Sequence, residues 1–580
     1  MIASKQPQQT TNKPHFHHLF FQRELIYIYF QAFRKTKREH IELLSKRLND
    51  VLSLLKSKML KSSYEWTIYL KHFFKLIAHV RTDKGEHDIT YMMIHVWYKH
   101  FPSLTMRFIQ QLVSNDNCEI QLGCWRDMKY LCDYVYTKEH NTEHPIISFC
   151  VFLLNDQLAK DLSSYSTKGY ISNVSKWIPR EHKKFDWLFK ELVNQWFSRT
   201  DISIDDNYDY STSFAAMKNH KCIYRKNISM LNKILDTTQI KQCSQKYDEI
   251  IPENVSKLTY VKQPTLTYDN INNYKEYMSN KFLNENPFSN QSTHSQIHNQ
   301  TYDSNIPIYS YIKEAFALLK PMKENNANPD ITYKIQILNS KWQQLSSTYN
   351  NTKGTTNKYI IPLLDISYTM QEEDDETYYT AIGIAILLAE NSLFNKRILC
   401  VDHLPTWLNI SNERTLTDII NAFENTTKSS RFTFSNIIAA IDILAFSIIN
   451  TKIDEDTVKQ LQIVILSDFH QIEADINDLI IERELDNTTI PTTTLYDRIK
   501  SRFSTEYKPN IVFWNLSKRG FIELPCSIYQ ENTLFLSGYS QSQIKTIIKY
   551  RYKYPHNAIC SLLQKNKYNI LDKYVDEYMS

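Results

Sequence analysis

A chain of 580 residues with 42% hydrophobic and 23% charged residues holds enough apolar material for roughly two to four ordinary globular domains. Its seven glycines, at 85, 123, 169, 354, 383, 520 and 538, are never closer than 18 residues, which excludes both a G-x-x-x-x-G-K-[ST] phosphate loop and a G-x-G-x-x-G dinucleotide turn. The formal net charge of +5 conceals an asymmetry: residues 1–264 carry 38 basic and 27 acidic side chains (+11), residues 265–580 carry 30 and 36 (−6), so the first half is the one expected to attract a polyanion.

The chain opens on MIASKQPQQTTNKPHFHH, too polar for a signal peptide. Residues 1–20 read as a flexible tail whose His15, His17 and His18 are exposed and idle. From 21 to 264 apolar positions recur at helical spacing, as at Leu43, Leu44, Leu48, Val51, Leu52 and Leu55. Short polar joints at 80–88, 100–104, 114–123 and 137–144 then predict stacked antiparallel helix pairs, an all-α helical-repeat module inferred from helix density rather than from a sequence period. Gly85 and Gly123 sit in two of these joints, where a positive φ would let a helix stop sharply. Residues 265–306 are Asn-, Ser- and Gln-rich, and the span 265–358 reads as a linker or insertion with short helices.

Beyond 358 the pattern becomes alternating strand and helix. YIIPLLD (359–365), RILCVDH (397–403), LQIVILSD (461–468) and NIVFWNL (510–516) are short apolar runs separated by helical stretches. They predict an open, mostly parallel Rossmann-like sheet over 359–580, which makes the protein multidomain, all-α followed by α/β. Ligands of such sheets bind at the carboxyl ends of strands. There the first strand ends in Asp365-Ile366-Ser367-Tyr368-Thr369 and a later one in Ser467-Asp468, a hydroxyl and carboxylate set that suits Mg²⁺.

At these residues the sequence resembles a von Willebrand A domain with its metal-ion-dependent adhesion site. The resemblance implies Mg²⁺ held directly by Ser367 and Thr369, Asp365 and Asp468 acting largely through water, and Thr433 supplying a middle loop, with Ser435 competing for that place. Tyr368 stands where the family usually keeps glycine, and a bulky side chain there would crowd the ion. The other reading of the same residues is that they only cap turns and helices.

In the first half, RTDKGEHDITYMMIHVWYKHFP, GCWRDMKYLCDY and WIPREHKKFDWLF resemble the helical module of a largely uncharacterised family that joins a TROVE-like helical region to a von Willebrand A-like domain; KPNIVFWNLSKRG and NTLFLSGYSQSQIKTIIK resemble its last strand, turn and helix. Distant relatives of that family are the Ro-type ribonucleoproteins, so the resemblance implies a non-enzymatic scaffold that binds structured or single-stranded RNA. Lys176, Trp177, Arg180, Lys183 and Lys184 interleave cations with aromatics, and Arg225 and Lys226 follow; cations neutralise phosphates and aromatic faces stack on unpaired bases. The same aromatics could instead pack in the core while the lysines reach into water.

Two other functions stand beside this one: a metal-dependent protein-interaction module that captures an acidic ligand without RNA, and a metal-dependent nuclease, for which no second carboxylate cluster stands out beyond the acidic run Glu372–Glu376. Nine scattered cysteines without a C-x-x-C pair read as free thiols of a reducing compartment. No apolar run reaches the ~20 residues that span a bilayer, so the expected location is soluble, intracellular and cytoplasmic. The AT-rich codon signature in the abundance of Tyr, Asn, Ile and Lys is compatible with a large DNA virus, for which host cytoplasm or virion would apply.

Overall fold

The structure, a computed structural model, describes residues 13–34, 38–60, 63–114, 121–167, 169–198, 210–235, 237–246, 250, 307–323, 329–350, 359–373, 375–402, 404–427, 436–469, 494–503, 509–518, 524–549 and 554–580. Thr433, Ser435 and the polar stretch 265–306 lie outside them. In chain order the helices of the first half are α1 (Lys13–Gln31), α2 (Arg38–Met59), α3 (Ser63–Thr82), α4 (His87–His100), α5 (Pro102–Gln111), α6 (Trp125–Glu139), α7 (Pro145–Ser166), α8 (Val174–Trp177), α9 (Asp186–Ser198), α10 (Tyr210–Ile234) and α11 (Thr238–Cys243). The second half continues with α12 (Ile308–Lys323), α13 (Pro329–Asn350), β1 (Ile360–Asp365), α14 (Tyr368–Glu373), α15 (Asp375–Glu390), β2 (Arg397–Val401), β3 (Thr406–Asn409), α16 (Leu416–Thr427), α17 (Ile437–Thr451), α18 (Glu455–Gln460), β4 (Gln462–Ser467), α19 (Leu495–Lys500), β5 (Asn510–Asn515), β6 (Thr533–Ser537), α20 (Ile544–Lys549), α21 (Pro555–Leu563) and α22 (Asn569–Met579). The protein therefore joins a helical region to a mixed, mostly parallel α/β sheet.

Two compact units arise from this chain. One comprises residues 1–104 with 307–580, the other residues 105–306. The four helices that their periodicity groups with α5–α11 thus pack in the unit that contains the sheet.

The sheet unit is organised around strand order β3-β2-β1-β4-β5-β6, parallel throughout except for the antiparallel edge pair β2 and β3. Strands β1, β4 and β6 are buried along their whole length, as continuous Ile/Val/Leu runs must be when helices cover both faces. Helix α15 packs against β1, β2 and β4, while α1 and α21 pack against β6. Strand order reverses between β1 and β4, and this switch point places the ends of those two strands side by side.

Helix α1 is an integral part of this unit. Phe30 packs on Phe535 of β6 with ring centroids 5.4 Å apart, the Asn515 side-chain amide donates to Phe30 O at 3.3 Å, and the Ser537 hydroxyl donates to Tyr29 O at 3.1 Å. The buried Lys84 ammonium donates to Ser537 Oγ at 2.7 Å and also to Tyr29 O. His18, expected to be idle in a tail, lies within α1, stacks on Trp66 at 4.5 Å and reaches Glu65 at 2.8 Å, because the helix starts at Lys13 and carries it onto α3. At the other end of the chain, Lys71 and Lys75 of α3 pair with Asp576 and Asp572 of α22 at 2.6 and 2.5 Å. Asp83, just past α3, gathers Lys565 at 2.7 Å, Lys567 at 2.5 Å, His79 at 3.0 Å and the Tyr568 hydroxyl at 3.0 Å.

The helical unit shows how local chemistry sets each boundary. Helix α6 starts with a capping box in which the Asp127 carboxylate accepts the Cys124 N–H at 2.8 Å, and α7 starts with Pro145 behind His144, whose ring accepts the Ile146 N–H at 3.2 Å. The two joint glycines serve different ends. Gly85 has φ +73° with open space around it, the left-handed turn expected of it. Gly123 corrects that expectation: its φ is not positive, and a Cβ there would lie 2.7 Å from Asp127 Oδ2 and 2.8 Å from Leu112 Cδ2, so close packing excludes a side chain. Gly123→Ala is expected to lower unit stability by about 1–3 kcal/mol through overpacking. Gly169→Ala, with no neighbour nearer than 3.5 Å, should be nearly neutral, and thermal melts of the two variants check the difference.

Candidate functional site

Strand β1 ends at Asp365 and β4 at Ser467, so the parallel register of the two strands presents both loops at one rim of the sheet. Asp365 Oδ1 accepts the Ser367 N–H at 3.0 Å, turning the chain into α14, and Oδ2 accepts the Ser467 hydroxyl at 2.5 Å. Ser467 Oγ in turn accepts the Phe469 N–H at 2.9 Å, and the Ser367 and Thr369 hydroxyls lie 3.1 Å apart. Asp365, Ser367, Ser467 and Asp468 are at most 2% exposed. Four of the five residues expected at a metal site, Asp365, Ser367, Thr369 and Asp468, therefore occupy the switch-point rim, while Thr433 lies outside the described residues.

Burial first, and then the charge of Asp468, push the Asp365 carboxyl up to about 6, against the hydrogen bonds from Ser367 and Ser467 that pull it down. Two buried carboxylates that repel each other cost free energy unless a cation compensates them. The donor set fits a small hard ion. In an octahedron with arms of about 2.0–2.1 Å, adjacent oxygens are about 3 Å apart, close to the 3.1 Å between the Ser367 and Thr369 hydroxyls. Among the described residues no group of three or more His, Cys, Asp or Glu side chains could hold a metal ion, so an ion here would have at most two carboxylates, with hydroxyls and water completing its shell.

Tyr368 occupies the place where the resemblance expects glycine. It is the first residue of α14, its φ is not positive, and its side chain is 39% exposed. No left-handed turn is needed at this position, because the Asp365–Ser367 hydrogen bond leads directly into a helix. The acidic run that follows is partly committed elsewhere: Glu376 pairs with Arg34 at 2.5 Å and Lys518 at 2.8 Å, and Asp375 pairs with Lys313 at 3.3 Å.

The cations expected to meet RNA all belong to the helical unit, and the structure sorts them. Lys176, Arg180, Lys183, Lys184, Arg225 and Lys226 are exposed and Trp177 is half-buried. Arg225 is held by Glu181 at 2.7 Å, with Lys221 on the same carboxylate at 3.3 Å, and Lys184 reaches Asp133 at 3.1 Å. Among the described residues no ion pair engages Lys176, Arg180, Lys183 or Lys226. Of the aromatics in this stretch, Phe185 is buried, whereas Trp187 is half-buried and stacks on Tyr136 at 4.4 Å. Lys129 and Tyr130, which lie in the GCWRDMKYLCDY stretch but were not among the expected RNA contacts, stand beside Phe185 with centroid distances of 4.5 and 5.5 Å; their spacing from Arg126 on one helix face was the available signal.

The seven cysteines described are free thiols, all buried or half-buried. Among the described residues no helix is long and apolar enough to cross a membrane.

Comparison with known proteins adds two findings. Residues 360–569, from the first residue of β1 to the first of α22, match a domain family described as a domain of unknown function (DUF7788). The chain is also similar to the uncharacterized protein L728 of Acanthamoeba polyphaga mimivirus, 20% identical over 513 residues that cover 84% of this chain and 77% of that protein. The family match is confined to the sheet and its following helices, whereas the likeness to the viral protein must extend beyond them, since 513 residues exceed that span.

Proposed function

We propose that this protein is a non-enzymatic scaffold whose helical unit binds RNA and whose sheet unit holds Mg²⁺ at the β1 and β4 strand ends. The observation that carries the reading is the switch-point rim, where adjacent strand ends carry two buried carboxylates, Asp365 and Asp468, and the paired hydroxyls of Ser367 and Thr369. The strand order, with its switch point between β1 and β4, is compatible with the von Willebrand A-like reading and with other doubly wound sheets. When bound, the ion would supply a Lewis-acidic centre able to take a partner's Asp or Glu carboxylate. This chain's own part is to fix the hydroxyls in place: Asp365 orients the Ser367 backbone, and Ser467 locks Asp365.

The RNA half rests on four exposed cations of the helical unit, Lys176, Arg180, Lys183 and Lys226, that no ion pair engages among the described residues; residues 105–306 as a whole carry 23 basic and 23 acidic side chains. The full chain should shift a structured or single-stranded RNA in a gel, and the shift should weaken steeply between 50 and 200 mM salt; a chain that shifts no RNA at any salt would sink this half. The alternative reading, metal-dependent capture of an acidic protein without RNA, is favoured by the buried carboxylates alone. It predicts partner capture that is lost on adding EDTA and in Asp365→Asn, with no RNA shift. A nuclease reading has less support, because Glu376 and Asp375 of the neighbouring acidic run are tied to Arg34, Lys518 and Lys313.

A further inference from the structure

We infer that Arg126, Lys129, Arg180 and Lys184, set around Tyr130, Trp177 and Phe185, form the contact site for an unpaired RNA segment. This rests on the RNA-binding reading and assigns it to one face of the helical unit.

Helix α6 supplies the first half of the site. Arg126 and Lys129 lie three residues apart on it and Tyr130 one further, so the three share a face. Helix α8 and the turn after it supply the rest, with Trp177, Arg180, Lys184 and Phe185. Phe185 is the anchor: it is 9% exposed and meets Tyr130 edge-on, centroids 5.5 Å apart at 82°. Around it the Lys129 ammonium is 4.5 Å from the Phe185 centroid and 5.3 Å from that of Tyr130, and Lys184 is 5.0 Å from Phe185. The Arg126 guanidinium lies 5.1 Å from the Tyr130 centroid and 5.9 Å from that of Trp177.

The electrostatics are those of a surface that lacks its counter-charge. Burial first, and then Arg126, Arg180 and Lys184, hold the Lys129 ammonium below its ordinary range, with Asp133 alone opposing them. Asp133 is already engaged by Lys184 at 3.1 Å, and among the described residues no ion pair engages Arg126, Lys129 or Arg180. Four like charges held this close repel one another, and a chain of phosphates relieves that repulsion. The cations are spread along two segments around half-exposed aromatic faces instead of converging on one point, which suits an extended strand better than a single phosphate. Tyr130 and Trp177 offer faces on which bases can stack, and a base is free to stack on a side chain only when it is unpaired.

The test uses the full chain and a fluorescein-labelled 12-nucleotide oligouridylate, followed by anisotropy across a salt series, with the same oligonucleotide annealed to oligoadenylate as the duplex. The wild type should bind the single strand more tightly than the duplex. Arg126→Glu with Lys129→Glu should weaken single-strand binding tenfold or more and flatten the salt slope, by roughly 0.7 for each phosphate that is no longer neutralised. Trp177→Ala should weaken binding while leaving the slope unchanged. Lys160→Glu, on α7 and paired with Asp156, is the control that should match the wild type. Should the Glu variant melt early, Lys129→Gln with Arg180→Gln takes its place. If the wild type binds RNA but these variants bind equally well, or if the duplex binds as tightly as the single strand, the assignment to this face is overturned while the RNA-binding reading stands. If the wild type binds no RNA, both fall.

Discussion

Magnesium is expected to raise the melting temperature of the wild-type chain and to leave that of Asp365→Asn unchanged. An ion that binds only the folded state stabilises it by about 2.7 kcal/mol at a concentration 100-fold above its Kd, a rise of about 5 °C or less for a unit of this size. The variant has a second signature. In the absence of metal it should melt higher than the wild type at neutral pH, because it removes one of two buried carboxylates that repel each other while Asn still offers an oxygen to the Ser367 N–H. Thermal melts with EDTA and with millimolar Mg²⁺, on both proteins, form a four-way comparison. A wild type indifferent to Mg²⁺, Mn²⁺ and Ca²⁺ would reduce the rim to a turn-capping device, the other reading that its residues allow.

Replacing Asp83 should be among the most damaging changes to a charged residue in the sheet unit. Its carboxylate is shared by Lys565, Lys567, His79 and the Tyr568 hydroxyl, so Asp83→Asn leaves two ammonium groups without their counter-charge and keeps only one of the two acceptor oxygens that these groups share. Breaking such a network costs about 3 kcal/mol, the lower end of the range for buried ion pairs, because Lys565 is 37% and Lys567 27% exposed. Burial alone would push the Asp83 carboxyl up, but His79, Lys567 and Lys565 outweigh it and hold it well below the usual carboxylate range. Its contribution is therefore complete above the ordinary carboxylate pKa and lost as the pH falls through the lowered one. Urea midpoints at neutral and acidic pH would show the loss, with a shallower acid limb in Asp83→Asn. Equal midpoints for the two proteins at neutral pH would mean that the Asp83 network contributes nothing to holding α21 and α22 in place.

Much of the sheet was legible from residue pattern. The runs that become β1, β2, β4 and β5 are buried on both faces and read as unbroken apolar stretches, each ending within two residues of the expected boundary. Strand β3 was not legible: TWLN is four residues long, lies at the edge, and has exposed Thr406 and Asn409, so it has neither a long run nor a clean alternation. The rim residues were legible because a strand end fixes where the next two side chains fall. Ser467 was visible beside Asp468, but that its hydroxyl locks Asp365 depends on the β1–β4 register, which only pairing reveals. The partner of α1 was not legible either. A helix with Leu25, Ile26 and Phe30 on its buried side announces that it packs, without saying on what. Likewise the need for glycine at 123 was visible, but whether backbone angle or crowding imposes it is decided by Leu112, eleven residues away.

The contacts of Phe30, Tyr29 and Lys84 with Asn515 and Ser537 carry a consequence for biosynthesis. When α1–α4 leave the ribosome, the residues they must pack against lie more than 400 positions downstream. At about 5–20 residues per second, these helices wait on the order of tens of seconds with Phe30 and Phe33 uncovered, while residues 105–306 are able to fold first. A nascent chain of this order is a natural client for holding chaperones. Cutting it down to residues 360–569 would remove the helix that closes the last strand.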